Sequence, residues 1–424
     1  SDRDWSSDVC SSDLKDLRPQ VEAILDSKSM TTDLFLATLA ALEMLDGKDP
    51  KDFDKTPAGK YVLPLVKDEK RSPAVRAQAL RLVDENDPAL TKELMSGLLA
   101  SKDYPLRLET VRTLQFASSP YATKLLIKVA KSQRPWRQPR DEKDYEKVSR
   151  TYFDHRRLML ESILGLANAA NQNPPDKDAT SALLSLLDES LEIRIEVIRS
   201  LRAVAKTNKK VRSAILDSVS IRTGHPDWWE DVDEHLHLIL PADSQRMASL
   251  ERSWKKRPST TKQWVSLAQA TKTSYGRTKK NMGLDAAESG RRVFFHPNGA
   301  GCSKCHTVNG RGGNIGPDLS RIGGALNRKR LAESILEPSK EIAPQFTNWT
   351  FVMKSGKVHN GIILGDTLDK QQTIGTTEGV TLDLPTAEIE IRQPQKKSIM
   401  PDKLIDRLTI GEFRDLLAFL ESLK

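Results

Sequence analysis

The stretch Gly301-Cys302-Ser303-Lys304-Cys305-His306 decides how the rest of the chain is interpreted. Two thiols three positions apart, followed at once by a histidine, are the attachment signature of c-type haem. The thiols reach the two vinyl groups on one edge of the porphyrin, and the adjacent imidazole ligates the iron. A zinc site would need a second ligand pair, and a redox disulfide would need a thioredoxin-like context. The sequence shows neither, so it predicts covalent haem on Cys302 and Cys305, with His306 as proximal ligand.

The flanking residues supply further parts of a haem site. Residues 286–295 predict a short amphipathic helix upstream of the motif. Downstream, the glycine-rich loop at 310–319 offers a backbone carbonyl to the second ring N–H of His306, which is the usual way of orienting a ligating imidazole. A final helix with one apolar face is predicted at 409–423.

Three residues are candidates for the sixth position on the iron. Met400 carries a thioether, the usual sixth ligand of an electron-transfer haem. Pro401 directly after it disfavours helix and holds the backbone extended. Met353 alternates with apolar neighbours, which predicts the apolar face of a sheet, and His359 follows a glycine turn, which predicts an exposed strand end. The sequence therefore favours Met400.

Residues 285–424 resemble the haem-binding domain of planctomycete and verrucomicrobial proteins. The resemblance lies in residues 290–295, 302–306, 312–319, 333–340, 398–401 and 416–420. It implies a cytochrome c fold with one covalently attached haem c and its iron, a place for Pro317 in the loop that positions His306, and Met400 as the distal ligand. In such proteins the domain often follows helical repeats and a sugar-dehydrogenase-like propeller. This chain has the pattern of the repeats but not that of the propeller.

Charge and hydropathy argue against two kinds of partner. The net charge of +8 arises from 66 basic and 58 acidic residues that are mixed along the chain. Because no basic stripe with interleaved aromatic residues is found, nucleic acid is not a predicted partner. No apolar run approaches the roughly 18 residues that a membrane span requires, so no span is predicted.

Residues 1–14 match neither the following repeats nor a targeting signal. They resemble the translation of sequencing-adapter DNA, which predicts a truncated gene that has lost its N-terminal part and signal peptide. A genuine disordered leader is the alternative, and in either case Cys10 is left out of disulfide pairing. Because thioether formation requires export and a maturation system, a periplasmic or otherwise extracytoplasmic location is predicted.

Helical repeats are predicted over residues 15–250. The stretches 75–83, 106–114 and 193–201 align without gaps, with Arg at the second and seventh places, and residues 158–166 form a weaker copy. Helical hairpins of this kind bury their apolar faces only by stacking, which predicts a HEAT-like α-solenoid. The repeated arginines are expected to hold repeats together through salt bridges and carbonyl contacts. Anion or partner binding on a concave face is the alternative.

Four other regions have weaker patterns. Residues 131–150 predict a long surface loop and residues 251–284 a connector. Trp228 and Trp229 predict a cap on the repeat array, and His235 and His237 are not expected to form a metal site. Residues 346–395 predict a small antiparallel β insertion, with strands near 349–353, 358–364, 373–376, 380–384 and 388–392. This insertion either covers the outer edge of the haem or forms a docking surface.

The sequence thus predicts a mainly α protein with two separately folding parts. A HEAT-like α-solenoid at 15–250 is followed by the connector and by a cytochrome c-like helical domain at 285–424 that carries the β insertion. No nucleophile elbow, phosphate loop or dinucleotide fingerprint is found, so no catalytic residue is predicted. The expected function is electron transfer, as the electron-accepting part of an extracytoplasmic dehydrogenase assembly with a redox partner or an attached dehydrogenase. The alternative is a repeat scaffold that binds a protein partner or a polysaccharide, with a haem-based redox or gas-sensing domain.

Overall fold

The structure is a computed structural model that describes residues 17–25, 27, 30–47, 59–132, 139–220, 226–241, 244, 246–270, 286–366 and 370–424. The predicted leader at 1–14 lies outside these residues, as does the stretch 271–285 of the predicted connector. Helices predominate, and they are accompanied by one five-stranded antiparallel sheet and one two-stranded sheet. The prediction of a mainly α protein with a small antiparallel insertion is therefore confirmed. None of the described helices is both long and apolar enough to cross a membrane.

Seven α-helices lie among the residues that the structure describes before Ser132. They are α1 (Arg18–Ile24), α2 (Thr32–Leu45), α3 (Gly59–Lys67), α4 (Pro73–Leu82), α5 (Lys92–Leu99), α6 (Tyr104–Leu114) and α7 (Pro120–Lys131). Helices α4 and α6 carry the first two repeat copies. Each begins after a side-chain cap, because Ser72 and Asp103 accept hydrogen bonds from backbone N–H groups of the first turn.

The remaining helices follow Gln133. They are α8 (Glu142–Ala170), α9 (Lys177–Leu184), α10 (Leu191–Thr207), α11 (Lys209–Ser218), α12 (Pro226–His237), α13 (Met247–Trp254), α14 (Thr261–Ala270), α15 (Ala286–Phe294), α16 (Ile322–Ala325), α17 (Arg328–Leu336) and α18 (Ile410–Ser422). The weaker repeat copy lies on α8 and the third full copy on α10. Helices α15 and α18 confirm the two helices predicted on either side of the haem motif.

The repeat helices pack in a regular order within each part. Many sequential helices contact each other, such as α3 with α4, α5 with α6 and α8 with α9. Alternate helices also contact each other: α4 with α6, α5 with α7, α8 with α10, and α9 with α11. Buried leucine, isoleucine, valine and alanine side chains fill the space between these helices. The apolar stripe of each helix is therefore covered by the hairpins next to it.

Part of the predicted surface loop at 131–150 is helical. Helix α8 begins at Glu142, and Asp141 caps it by accepting a hydrogen bond from the backbone N–H of Asp144. Glu142 and Asp144 also place negative charge at the positive end of the helix. The polar composition of residues 142–150 thus belongs to an exposed first part of a long helix, and the loop prediction is wrong for these residues.

The repeated arginines contact backbone carbonyls and neighbouring repeats. At the second place, Arg76 donates to the carbonyl of Val66 at 2.9 Å, and Arg194 donates to that of Ser218 at 2.8 Å. At the seventh place, Arg81 pairs with Glu109 of the following copy at 3.2 Å. These contacts agree with the prediction that the arginines hold repeats together.

The two-stranded sheet pairs β1 (Thr307–Val308) with β2 (Arg311–Gly312) directly after the haem motif. The strands of the β insertion are β3 (Asn348–Met353), β4 (Val358–Asp366), β5 (Gln371–Gly375), β6 (Thr381–Pro385) and β7 (Ile389–Pro394). They form an antiparallel sheet in the order β6-β5-β4-β3-β7. One face of the sheet buries Phe351, Met353, Ile374 and Leu384 together. Period-two alternation along the strands places these apolar residues on one face of the sheet.

Contacts divide the chain into two compact units, residues 1–132 and 133–424. The predicted boundaries at 250 and 284 lie inside the second unit. The difference has a physical cause, because α10 and α12 pack directly against the segment that carries the haem motif and not only against other repeats. The boundaries at 15–250, 251–284 and 285–424 remain a prediction about segments of the sequence.

A layer of buried charged groups joins these elements within the second unit. Arg199 and Arg202 of α10 both donate to Glu412 of α18, at 2.7 and 2.6 Å. Arg291 and Arg292 of α15 pair with Glu161 of α8 and Glu196 of α10, at 2.6 and 2.9 Å. All of these side chains are at least nine-tenths buried. Such groups are tolerated in an interior only when they are paired.

The same layer contains a carboxyl group with an unusual pKa. Glu234 of α12 accepts a hydrogen bond from the backbone N–H of Ile410 at 2.6 Å. Burial raises the pKa of Glu234 to about 7, against the opposing effect of Arg257. The unfolded chain therefore releases this proton at lower pH than the folded chain does. As a result, Glu234 makes the protein less stable as the pH rises from about 4.5 to 7.

We expect Glu234→Gln to remove this loss of stability. The amide keeps an acceptor for the N–H of Ile410 but does not titrate. Relative to the parent protein, the variant should become more stable as the pH rises through this range, by about 3 kcal/mol at pH 8. Thermal unfolding at a series of pH values measures the effect. Glu341→Gln, at an exposed position, is the control. A constant difference between parent and Glu234→Gln across the pH range would contradict the assignment.

Candidate functional site

Helices α15 and α18 cross at very close range and form the base of the candidate site. A Cβ atom added at Gly290 would lie 1.8 Å from the backbone oxygen of Asp415 and 2.8 Å from the Cβ of Phe419. Only glycine permits such a close approach of two helix backbones. Phe294 and Phe419 pack beside the crossing, with ring centroids 5.6 Å apart. The crossing fixes the position of the loop that follows α15.

Cys302 begins a 3₁₀ turn, Cys302–Lys304, that follows this loop, and Cys305 directly follows the turn. Gly301 precedes the turn with φ of 75°, a left-handed conformation that favours glycine. The backbone N–H groups of Cys305 and His306 both donate to the carbonyl of Cys302, at 3.2 and 3.0 Å. The tight turn therefore presents both cysteines and the histidine from one short piece of backbone.

His306 is held in one orientation by its own loop. Its Nδ1 donates to the carbonyl oxygen of Pro317 at 2.9 Å, and because the partner is a carbonyl, Nδ1 must carry the proton. The lone pair for ligation is then on Nε2. Burial lowers the pKa of His306, and the bond to Pro317 partly opposes this. The ring is therefore neutral at neutral pH, as metal ligation requires.

Glycines allow the loop to pass close to the histidine. A Cβ atom at Gly316 would lie 2.7 Å from Cε1 of His306, and one at Gly312 would lie 2.3 Å from the carbonyl oxygen of His306. Gly313 passes close to the Lys304 carbonyl, where a Cβ atom would lie 2.0 Å from the oxygen. The glycine-rich composition of this loop thus has a direct steric cause.

The β insertion packs on this loop through the turn between β5 and β6. A Cβ atom at Gly375 would lie 2.7 Å from Ile315, and one at Gly379 would lie 2.8 Å from the Cβ of Lys304. The turn is closed by Thr376, whose N–H donates to the carbonyl of Val380 at 2.9 Å. The insertion therefore covers the polypeptide around the two cysteines.

The two cysteines are free thiols. Burial raises the pKa of Cys302 to about 12 and also raises that of Cys305, although Lys304 opposes the second effect. Catalytic redox thiols have lowered pKa values, because the thiolate is the reactive species. The environment of Cys302 and Cys305 is therefore unlike that of a redox disulfide, which leaves the haem interpretation.

The three candidates for the sixth ligand occupy different settings. Met400 is half-buried, and its backbone N–H donates to the hydroxyl of Ser398 at 3.1 Å. Ser398 is in turn tied to Ser339 at 3.1 Å, outside the sheet. Met353 is buried in the core of the sheet. His359 is half-buried on β4, opposite Phe351.

Two other histidines singled out by the sequence have structural partners. His235 is buried beside Arg202, with Nδ1 2.6 Å from the guanidinium. His237 contacts Glu251 at 2.8 Å and stacks on Trp254 at 4.2 Å. Among the described residues, no group of three or more His, Cys, Asp or Glu side chains forms a metal site. Trp229 is buried on α12, and the side chain of Trp228 lies outside the described residues.

Sequence reasoning missed two features of the site. The first is the contact of the β5–β6 turn with Lys304, whose only signal was Gly379 between two strands. The second is the charged layer behind the site, although the Arg at the seventh repeat place pointed to Arg199. In each of these contacts the two partners lie far apart in the sequence, so a local sequence pattern could not predict them.

Comparison with known proteins is consistent with this geometry. A family model described as cytochrome c matches residues 287–378, which include the two cysteines, His306 and Pro317. The match ends before Met400. A search of curated proteins gives no match to the chain.

The residues present fit a haem. The free thiols of Cys302 and Cys305, the lone pair on Nε2 of His306 and the close approach of Gly316 to the ring are the parts that covalent haem requires. Residues 287–378 therefore form a cytochrome c domain that carries covalently bound haem c with iron. This domain supports a haem-based electron-transfer role and suggests a redox partner.

Proposed function

We propose that the chain is an electron-transfer protein in which His306 and Met400 are the axial ligands of one haem c held by Cys302 and Cys305. The proposal rests on the hydrogen bond from Nδ1 of His306 to the carbonyl oxygen of Pro317, beside Gly316, whose lack of a side chain leaves room for the imidazole ring. This arrangement fixes the tautomer and orientation of the imidazole, which raises its basicity as a ligand.

The residues of the chain have separate roles in this proposal. One-electron chemistry is what haem supplies when it is bound. Cys302 and Cys305 hold it by thioethers, and Pro317 keeps the ring of His306 in place. The turn between β5 and β6 limits the access of water to the attachment loop. Electron transfer requires no proton donor or nucleophile, which agrees with the lack of a catalytic motif in the sequence.

The settings of Met353 and His359 make them poorer candidates for the sixth ligand than Met400. The side chain of Met353 fills the core of the sheet, and its removal from this core would leave a cavity. His359 lies on β4 within the antiparallel ladder, and its pairing with Phe351 of β3 fixes the face of the sheet on which its side chain lies. Met400 belongs to a segment outside the sheet that is anchored on Ser339 through Ser398.

We expect Met400→Ala to lower the reduction potential and to remove the methionine–iron charge-transfer band, with the haem still covalently attached. The reason is that a thioether stabilises ferrous iron relative to imidazole or water. Potentiometry and absorption spectroscopy of protein made with a maturation system measure both effects. Retention of haem after acid–acetone extraction shows that attachment is intact.

Two variants act as controls for this experiment. Met400→His should keep six-coordination at a lower potential, and Met353→Ala should destabilise the sheet but leave the band in place. Unchanged spectrum and potential in Met400→Ala would show that another residue is the ligand, and His359→Ala would be the next variant. An open sixth position that binds carbon monoxide in the parent protein would favour the gas-sensing alternative.

We further propose that the repeat helices form a HEAT-like α-solenoid within each unit. The support is the packing of alternate helices and the carbonyl contacts of Arg76 and Arg194. A solenoid offers an extended surface for a protein partner. This part of the chain would then attach the haem domain to its assembly.

The proposed setting is an extracytoplasmic dehydrogenase assembly, in which this chain accepts electrons. Covalent haem attachment requires export, and cytochrome c domains are usually extracytoplasmic. The enzyme would be an attached domain or a partner. Sequencing of the gene in its genomic neighbourhood tests this: a dehydrogenase sequence in the same reading frame or next to it supports the proposal, and its absence contradicts it.

A further inference from the structure

The repeat helices of the second unit present a row of charged side chains toward residues 286–424, the haem-bearing segment. Glu161 and Glu196 occupy the fourth place of their repeat copies, and Arg199 occupies the seventh. All three are at least nine-tenths buried. Their partners come from α15 and α18: Arg291 for Glu161, Arg292 for Glu196 and Glu412 for Arg199.

The same two repeat places pair differently in the first unit. There, Arg81 at the seventh place contacts Glu109 at the fourth place of the next copy, at 3.2 Å. In the second unit, Arg199 and Glu196 pair with each other within α10 at 2.9 Å, and residues of α15 and α18 supply the further opposite charges. The haem-bearing segment thus supplies to α8 and α10 charges of the kind that a neighbouring repeat copy supplies in the first unit.

Polar contacts extend this interface to α12 and beyond. Thr409 donates to Asp231 at 2.6 Å, and the N–H of Ile410 donates to Glu234 at 2.6 Å. Arg257 donates to the carbonyl of Leu408 at 2.7 Å. The start of α18 is thus held by groups of α12 and of the segment after α13. A buried polar network rigidifies the structure when all of its members are paired, and an unpaired member is costly, which favours cooperative formation of these contacts.

The haem-bearing segment depends on its cofactor for stability. A ligand that binds only the folded form stabilises that form, and a covalently held haem does so at all concentrations. If α8 to α12 fold cooperatively with this segment, then loss of haem must reduce their stability as well. Helices α4 to α7 lie in the other compact unit and do not share this dependence.

We infer that the haem-bearing segment and helices α8 to α12 are one cooperative folding unit, so that haem loading controls the folding of the repeats after residue 132. Repeats α4 to α7 fold independently of haem. The inference rests on the proposed haem attachment and not on electron transfer, so its test is independent of the assignment of the axial ligand. It also gives the cofactor a second role, the completion of a repeat surface.

Hydrogen exchange on the full chain tests this inference. Haem-loaded protein is compared with the haem-free variant Cys302→Ala/Cys305→Ala. We expect amide exchange to become at least about tenfold faster at 142–218, 226–237 and 286–424 in the variant, with exchange at 73–131 unchanged. Retained protection at 142–237 alongside faster exchange at 286–424 would overturn the inference. Unchanged exchange everywhere, or faster exchange that includes 73–131, would overturn it as well.

A matched pair of variants tests the interface in haem-loaded protein. Glu196→Gln removes a charge that pairs with Arg292, and Glu109→Gln removes the charge at the same repeat place in the first unit. The first should speed exchange at 142–207 and 286–294 together, and the second only within 73–131. Confinement of the Glu196→Gln effect to α10 would overturn the inference.

Discussion

Glu412→Ala is expected to destabilise the haem-loaded protein by about 3–5 kcal/mol. Glu412 accepts hydrogen bonds from both Arg199 and Arg202 and is itself almost fully buried. These two guanidinium groups hold the pKa of Glu412 well below its usual range, although burial opposes this. Its removal leaves the buried guanidinium groups of Arg199 and Arg202 without one of their anionic partners. An uncompensated buried charge is strongly destabilising, so breaking a buried ion pair costs more free energy than replacing the whole pair by apolar residues.

The same change also removes a helix cap. The carboxylate of Glu412 accepts from the backbone N–H of Thr409, while the hydroxyl of Thr409 accepts from the N–H of Glu412. Loss of this capping box adds about 1 kcal/mol to the expected cost. Unfolding by denaturant, followed through haem absorbance and circular dichroism, measures the total.

Two further variants show whether charge or shape is responsible. Glu412→Gln keeps the shape and an acceptor but not the charge, so its effect should be intermediate. Glu341→Ala removes an exposed carboxylate that contacts Arg330 at 2.5 Å, and it should have little effect because exposed pairs are screened by water. Equal stability of Glu412→Ala and Glu341→Ala would disprove the importance of the buried layer.

Gly290→Ala is expected to destabilise the protein by about 3 kcal/mol or more and to disturb the haem environment. The added Cβ would lie 1.8 Å from the backbone oxygen of Asp415, so α15 and α18 must move apart. Over-packing of a close contact costs about 1–3 kcal/mol when side chains can adjust. Here the added Cβ would meet backbone atoms, which shift less easily than side chains. We therefore expect a loss of stability of at least about 3 kcal/mol.

The matched control is the same substitution at Gly324. A Cβ atom there meets nothing within 4 Å, and its φ lies outside the left-handed region. Gly324→Ala should therefore be neutral or slightly stabilising, because alanine reduces the freedom of the unfolded chain. Thermal unfolding and the haem absorption bands of the two variants are compared. A Gly290→Ala protein as stable as Gly324→Ala would show that the helices are not held at this distance.

The sequence by itself determined the haem-attachment turn, the helices on either side of it and the strands of the insertion. Each of these depends on neighbours within about ten residues, such as the spacing of Cys302, Cys305 and His306. The glycine-rich loop also predicted a carbonyl partner for His306, and Pro317 supplies it. The assignment of Met400 as distal ligand remains a prediction, since it rests on the resemblance and on the exclusion of Met353 and His359.

Only the tertiary structure decided how the repeats and the haem-bearing segment are joined. The sequence predicted two separate folding parts, because composition and periodicity change near residue 250. The pairs Arg199–Glu412 and Arg292–Glu196 connect positions that lie 213 and 96 residues apart. Charged residues at regular helical positions are normally solvated, and a local pattern does not reveal which of them will be buried. Burial of opposite charges depends on which helices meet, and that is a property of the folded chain alone.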